Sequence, residues 1–275
     1  MKEFKLSGFA DEGGNTAEEQ IQILKTNGVH YVEVRKIDGK NILELDDGEL
    51  KILRKKFDGA GIKVSAIGSP IGKTQITEDF SLTRASFEMA LAAAVILDAL
   101  YIRAFSFYTP KEDDPMKWAD EVIFRLQELV KTAAQKGKQY ALENESGIFT
   151  DIPSRCVYAL DRVKGLSLAF DPGNFIFNDA DPLEAWKLLK NKVAYFHIKD
   201  ASRSLKYFVP AGEGDGSIAR ILKEAYSGGF DGFLSVEPHL KKYLENQPDT
   251  VRFTAAVNGL KKVLNSTFNA GLKMA

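Results

Sequence analysis

The chain is short of the residues on which several function classes depend. Cys156 is its only cysteine, which excludes an intrachain disulfide, a cysteine-rich zinc site and a CxxC redox pair and makes the cytoplasm the expected compartment. Histidine occurs three times, at His30, His197 and His239, too few for a polynuclear zinc centre built on imidazoles. Excess charge is missing as well: 37 Lys and Arg stand against 38 Asp and Glu, a net charge of −1. With no basic block to neutralise phosphates, no nucleic-acid partner is expected. The longest apolar run, Ala90–Leu100, contains Asp98 and is about half of what a bilayer span needs. Met1–Ala10 lacks the apolar stretch of a signal peptide, so no membrane association is expected. Across 275 residues there is no linker, low-complexity tract or composition break, and the length fits one large domain.

What is present is a recurring unit. Short β-rich runs occur at Phe4–Phe9, His30–Val34, Lys63–Ile67, Leu100–Arg103, Lys138–Leu142, Leu166–Phe170, Val193–Ile198 and Phe233–Val236, with helical apolar spacing between them, as in Val122, Leu126, Leu129 and Val130. Gly28, Gly61, Gly137, Gly165 and Gly229 fall where each helix should end in a left-handed residue. Asp114-Pro115 and Asp181-Pro182 place an N-cap before a proline at the first helical position. Eight strand–helix units predict an α/β fold, a single-domain (β/α)8 TIM barrel over residues 1–264, with 265–275 a tail or helix end. The open-sheet alternative lacks its fingerprint, since Gly8-Phe9-Ala10-Asp11-Glu12-Gly13 follows the first strand instead of G-x-G-x-x-G.

In such a barrel alternate side chains point inward, and reactive groups stand at the C-terminal ends of the strands. Bulky apolar pairs should face the helices: Tyr140 and Leu142, Leu168 and Phe170, Phe196 and Ile198, Leu234 and Val236. Four consecutive strands then end in an inward polar residue, namely Glu143, Asp171, His197 and Glu237. Three carboxylates and an imidazole sharing one site repel one another unless a cation joins them. One divalent metal ion resolves the conflict; oxygen-rich ligation with a single histidine suits Mn²⁺ best or Mg²⁺, with Co²⁺ and Zn²⁺ also accommodated.

These stretches resemble a known family. Ala141-Leu142-Glu143-Asn144-Glu145, Phe170-Asp171-Pro172-Gly173-Asn174, His197-Ile198-Lys199-Asp200, Gly212-Glu213-Gly214-Asp215 and Ser235-Val236-Glu237-Pro238 are similar to motifs of the xylose isomerase-like barrels, which include sugar and sugar-phosphate isomerases and epimerases, hydroxypyruvate isomerases, inosose dehydratases and endonuclease IV. Gly8-Phe9 and Tyr31-Val32-Glu33-Val34-Arg35 extend a weaker likeness into the first half. The resemblance implies one metal on Glu143, Asp171, His197 and Glu237. In ketose 3-epimerases of this family the two glutamates also exchange protons with the substrate, one on each face of a metal-stabilised cis-enediolate. It further implies a substrate-binding role for Arg203, six residues past His197. Asn174 departs from the epimerases, which carry histidine there; asparagine can bind a sugar hydroxyl but cannot become a cation.

The expected function is a metal-dependent sugar or sugar-phosphate isomerase or epimerase working by proton transfer next to a carbonyl, with Glu143 and Glu237 catalytic. Its rival on the same site is a dehydratase of inosose or dehydroshikimate type, and a silent metabolite-binding barrel is a third reading. The partner is a small polyhydroxylated carbonyl compound, and a homo-oligomer is possible. Asn174, Arg203, Lys199, Glu145 and Arg103 are the candidate substrate contacts. Lys199 could instead pair with Asp200 or Glu145, Glu145 could orient a ligand, and Arg103 could pair with Glu33 inside the barrel. His239 shares the parity of Glu237 and could contact substrate or add a ligand, but is read as a surface or neighbouring histidine; His30 is read as structural. Gly212–Gly216 could offer N–H groups to an anion, but a turn capped by Ser217 is favoured. The Gly68–Lys73 loop and Phe105, Phe107 and Tyr108 could form a lid and an apolar wall, or plain packing.

Overall fold

The computed structural model describes residues 3–268. All eight expected strands form, as β1 (Lys5–Gly8), β2 (Tyr31–Val34), β3 (Lys63–Gly68), β4 (Tyr101–Ala104), β5 (Gln139–Glu143), β6 (Ser167–Phe170), β7 (Val193–Ile198) and β8 (Phe233–Val236). They pair in parallel in the order β1-β8-β7-β6-β5-β4-β3-β2. The barrel is nearly closed, because β1 lies against β2 without ladder hydrogen bonds. The intervening helices are α1 (Ala17–Thr26), α2 (Asp47–Ala60), α3 (Phe80–Ile96), α4 (Ala119–Gln135), α5 (Pro153–Arg162), α6 (Pro172–Phe177), α7 (Pro182–Leu189), α8 (Ile218–Ser227) and α9 (Asp249–Phe268). The last of these runs through 265–268, so that part of the expected tail is helical, and 269–275 lie outside the described residues.

Local chemistry explains the helix ends. Thr16 with Glu19, and Asp46 with Glu49, form reciprocal capping boxes that start α1 and α2. Asp181 accepts from the N–H groups of Leu183 and Glu184 ahead of α7, and Asp114 from Met116. All five junction glycines have positive φ, where a Cβ is disfavoured. Ser217 does not cap α8: its φ is 54° and its hydroxyl makes no cap bond.

The main core lies between barrel and helices, where Tyr140, Leu142, Leu168, Phe170, Phe196, Ile198, Leu234 and Val236 are all buried facing outward from the barrel. Inside, Ala66, Ala141, Ala169 and Tyr195 form a packed layer, so the barrel is filled and not a pore. The parity read from sequence therefore holds on β5 to β8. Above that layer the strands deliver their polar ends.

Two hairpins decorate this upper rim, Lys36–Ile37 with Lys40–Asn41 and Asp200–Ser202 with Tyr207–Val209. The β3 and β4 loops are zipped together by backbone bonds from Phe105 N to Ile71 O and Phe107 N to Gly72 O. Phe105 and Phe107 are fully buried there, and the Phe105 ring lies 4.7 Å from the Arg103 guanidinium. No helix among the described residues is long and apolar enough to cross a membrane.

Candidate metal centre

Glu143 ends β5, Asp171 follows β6 directly, His197 sits near the end of β7 and Glu237 follows β8. All four are buried, and each offers one ligand atom within 4.8 Å of the others. The barrel has thus brought together four side chains that the sequence separates by almost a hundred residues. His197 Nδ1 lies 3.3 Å from Glu143 Oε1 but, though buried, has no hydrogen-bond partner. Asp171 Oδ2 likewise makes no well-aligned hydrogen bond and meets only the Lys199 ammonium, at 2.9 Å. Each atom is thus met by a neighbouring charge, Glu143 or Lys199, without an aligned hydrogen bond, and such incomplete satisfaction is costly in a buried site. A divalent ion would satisfy the two together, so the donor set fits a metal.

The surrounding groups hold this arrangement. Glu33 is inward by the plain alternation of β2, whose Val32 and Val34 are buried in the outer core. Its carboxylate accepts from Tyr195 Oη at 3.0 Å and Ser235 Oγ at 2.7 Å, and lies 3.1 Å from His197 Nε2. This contact fixes the imidazole with Nδ1 toward Glu143. Asn174 is buried and committed: its N–H donates to Asp171 Oδ1 and its amide to Glu143 Oε1 at 3.1 Å and Asn144 O at 2.9 Å. Asn144 closes the frame by exchanging bonds with the Asp171 backbone. Arg103 donates to Ser69 O at 2.9 Å and approaches Glu143 Oε2 at 3.3 Å and Glu33 at 3.8 Å.

Charge does not balance here. Six carboxylates, Asp11, Glu12, Glu33, Glu143, Asp171 and Glu237, face three permanent cations, Arg35, Arg103 and Lys199. The two histidines respond. Burial would lower His197, but Glu33 and Glu143 outweigh it and push its pKa up to about 10; His239 is raised against burial by Glu237 and Glu12. Burial also pushes Asp171 up to about 7 despite Lys199. Glu143 is held at about 2, burial being overcome by His197 and Arg103. Glu237 stays well below the usual carboxylate range because Lys199, His239, His197 and Arg35 outweigh its burial.

The remaining sequence candidates divide. Lys199 reaches the centre, pairing with Asp171 and Glu237 and not with Asp200 or Glu145. Glu145 stands at the rim, bonded to Lys73 and to Ser146 N, and orients none of the four. Arg203 is not brought to them either; its guanidinium donates to the carbonyls of Ile176, near the end of α6, and Ala180, just beyond it. The Gly212–Gly216 N–H groups do meet an anion, but it is the chain's own: Gly212, Gly214 and Gly216 all donate to the Asp200 carboxylate. Its oxygen would lie 2.6 Å from a Cβ at Gly216. His239 belongs to the site's edge, with Nδ1 2.9 Å from Glu12 and Nε2 3.2 Å from Glu237, held at a strained φ of 44°. His30 is exposed at the start of β2, at the opposite end of the barrel.

Sequence reasoning passed over Asp11, Glu12 and the charge of Arg35. Arg35 ties Asp11 at 2.8 Å, Glu12 at 3.1 Å and Glu237 at 3.4 Å, and lies over the Phe9 ring. The signal was available, since Asp11 and Glu12 follow the C-terminal end of β1, where barrel sites are built. These groups line a cavity of about 540 Å³ with Phe208 and His239, beside Glu237.

No curated protein matches the sequence, but solved structures share the architecture. The IOLI protein with a bound zinc atom superposes with a TM-score of 0.81 at 19% identity, covering 96% of this chain and 99% of that one. A probable 3-DHS dehydratase, AsbF, of petrobactin synthesis in Bacillus anthracis gives 0.77 at 17%, covering 94% and 98%. D-allulose 3-epimerase from Methylomonas sp. in complex with D-allulose gives 0.72 at 14%, covering 95% and 98%. At such identities the likeness concerns the fold. The family model described as xylose isomerase-like TIM barrel matches residues 21–258, and the chain belongs to that family.

Proposed function

We propose that the protein is a divalent-metal-dependent isomerase or epimerase of a small sugar or sugar phosphate, with Mn²⁺ the best-suited ion on Glu143, Asp171, His197 and Glu237. The observation that carries this reading is the convergence of those four buried side chains, with His197 Nδ1 making no aligned hydrogen bond. When bound, the ion supplies positive charge for the substrate oxygens next to the proton that is removed. The chain supplies the bases. Glu143 and Glu237 are both ionised at neutral pH, as proton acceptors must be, and they reach the centre from strands three places apart around the barrel. A substrate between them presents one face to each, so a proton taken by one carboxylate and returned by the other inverts the carbon. Arg103 and Lys199 add cationic donors for developing oxyanions. Asn174, spent on Glu143 and Asn144 O, serves better to aim Glu143 than to hold a hydroxyl.

Expelling a β-hydroxyl after the same proton abstraction would make the site a hydro-lyase, and the solved neighbours carry names of both kinds. The test measures Mn²⁺ binding by the chelator-stripped protein and then incubates the loaded protein with ketoses, inososes and dehydroshikimate in D₂O. Solvent deuterium entering the substrate without loss of water is the expected result. A new enone absorbance selects the dehydratase, and no Mn²⁺ binding overturns the metal reading.

Two further results are expected of the same site. Glu33→Gln removes the charge that orients His197, and neighbours of metal ligands typically matter by about 10–100-fold in affinity; because Glu33 also raises the His197 pKa, the loss should appear in that range in Mn²⁺ titrations taken across pH and extrapolated to fully deprotonated His197, with the fold intact. Metal binding should also depend on pH, since the ion needs His197 neutral and Asp171 ionised. His197 retains its proton up to about pH 10 and Asp171 up to about 7 in the metal-free protein. Affinity therefore rises with pH, by about tenfold per unit for each proton released, more steeply below pH 7 than above it. The raised His197 pKa also stabilises the metal-free fold, fully below the unfolded value of about 6.5 and progressively less as pH climbs through about 10. Metal-free melting temperature should fall from pH 7 to 10 while added Mn²⁺ restores it; a pH-independent affinity would contradict this account.

A further inference from the structure

Lys199 holds a position that a rim lysine would not. It follows His197 by two residues, with Ile198 turned to the helices between them, so its side chain rises from the same inner face. It is 4% exposed. Its Nζ lies 2.7 Å from Glu237 Oε2 and 2.9 Å from Asp171 Oδ2, bridging the strands on either side of its own. The backbone has no room to withdraw on the α6 side, because a Cβ at Gly173 would stand 2.7 Å from Lys199 O.

The oxygens that Lys199 takes are the free ones. Asp171 Oδ1 already accepts from the Asn174 N–H, leaving Oδ2. Glu237 Oε1 faces Arg35 and His239, leaving Oε2. An ion entering between Asp171 and Glu237 would seek the same two atoms, and an ammonium beside a divalent ion in a buried site is repelled with little screening. The Phe208 ring lies 5.1 Å from Nζ, and a ring face can receive a displaced cation.

We propose that Lys199 is the resident counter-cation of this centre: its ammonium holds Asp171 and Glu237 together before metal arrives, and the incoming ion displaces it toward Phe208. The proposal rests on the metal reading given above. Its consequence is a site that is assembled before loading, at the expense of affinity, because every ion bound must break two buried ion pairs. Without the lysine the ion would meet two unengaged carboxylates that repel each other until it binds.

The test compares chelator-stripped full-length wild type with Lys199→Met, which keeps the length of the side chain and removes its charge. Mn²⁺ affinity is measured by calorimetric titration, and melting temperature is measured with and without saturating Mn²⁺. The variant should bind Mn²⁺ at least about tenfold more tightly, melt lower than wild type by about 3 °C or more when metal-free, and regain the difference when loaded. A variant that folds only with Mn²⁺ present meets the same expectation, and Lys199→Gln, measured alongside, serves if the Met protein aggregates in both states. If wild type binds Mn²⁺ and the neutral variants bind it no more tightly, the lysine's role is overturned while the metal reading stands. If neither wild type nor variant binds Mn²⁺, both fall.

Discussion

Glu143→Gln and Glu237→Gln should each lower substrate turnover by about a thousandfold or more at saturating Mn²⁺, since positioned general bases contribute about 10²–10⁴-fold and each residue also ligates the ion. Glutamine keeps an oxygen for the metal but cannot accept the proton. The loss should therefore appear in turnover more than in metal content. The two variants should also differ from each other. A two-base epimerase has one carboxylate for each face of the substrate, so in Glu143→Gln one epimer should still exchange its proton with D₂O while the other does not, and in Glu237→Gln the preference should reverse. Conversion between epimers needs both faces and should vanish in either variant. Equal residual exchange from both epimers in both variants would point to a single base, and unchanged turnover would remove these residues from the chemistry. Local consequences differ as well. Glu143 receives the Asn174 amide and the Arg103 guanidinium, so its glutamine can turn its oxygen toward these donors. Glu237 is faced by Arg35, Lys199 and His239, and neutralising it leaves two cations and an imidazole without their shared partner.

The site was legible in the sequence where a repeating rule governed it. Inward and outward positions alternate along a strand, so bulky pairs such as Tyr140 and Leu142 fix the direction of Glu143, and the same logic places Asp171, His197 and Glu237. What the sequence could not show depends on contacts between distant segments. Glu33 is inward by alternation, but its residue type does not announce that it takes Tyr195, His197 and Ser235 as partners from strands across the barrel. Asp200 collects three glycine N–H groups from twelve to sixteen residues downstream, so a loop that reads as an anion site serves an internal carboxylate. Ser217 has the composition of a cap but a left-handed backbone that turns its hydroxyl away. For Lys199 the parity rule gave the direction, while the pairing with Asp200 or Glu145 weighed beside a substrate role gives way to Asp171 and Glu237, because partners are chosen by charge across neighbouring strands. Arg203, whose substrate role the family resemblance implies, stands in the hairpin that begins at Asp200 and donates to the carbonyls of Ile176 and Ala180, contacts that no spacing rule shows.

Asp171→Ala and His197→Ala should abolish tight Mn²⁺ binding, by more than the roughly 100-fold that a residue behind the ligands commands, and yet leave the barrel folded. The expectation follows from where the groups stand. The Ala66, Ala141, Ala169 and Tyr195 layer closes the barrel beneath them, and the outer core that holds helices to strands contains neither residue. Their removal nonetheless has a cost. Alanine at 197 takes a cation from between Glu33 and Glu143, and alanine at 171 leaves the Lys199 ammonium with Glu237 alone; breaking a buried pair costs about 3–5 kcal/mol. The metal-free variants should melt below wild type by circular dichroism, and saturating Mn²⁺, which raises the wild-type melting temperature by mass action, should raise theirs little or not at all. That difference separates a ligand from a structural charge. If Mn²⁺ stabilises Asp171→Ala as much as wild type, the ion binds elsewhere, and the nearest alternative among the described residues is the edge formed by Glu12, Glu237 and His239. Glu12→Gln would then lose the metal in place of Asp171→Ala.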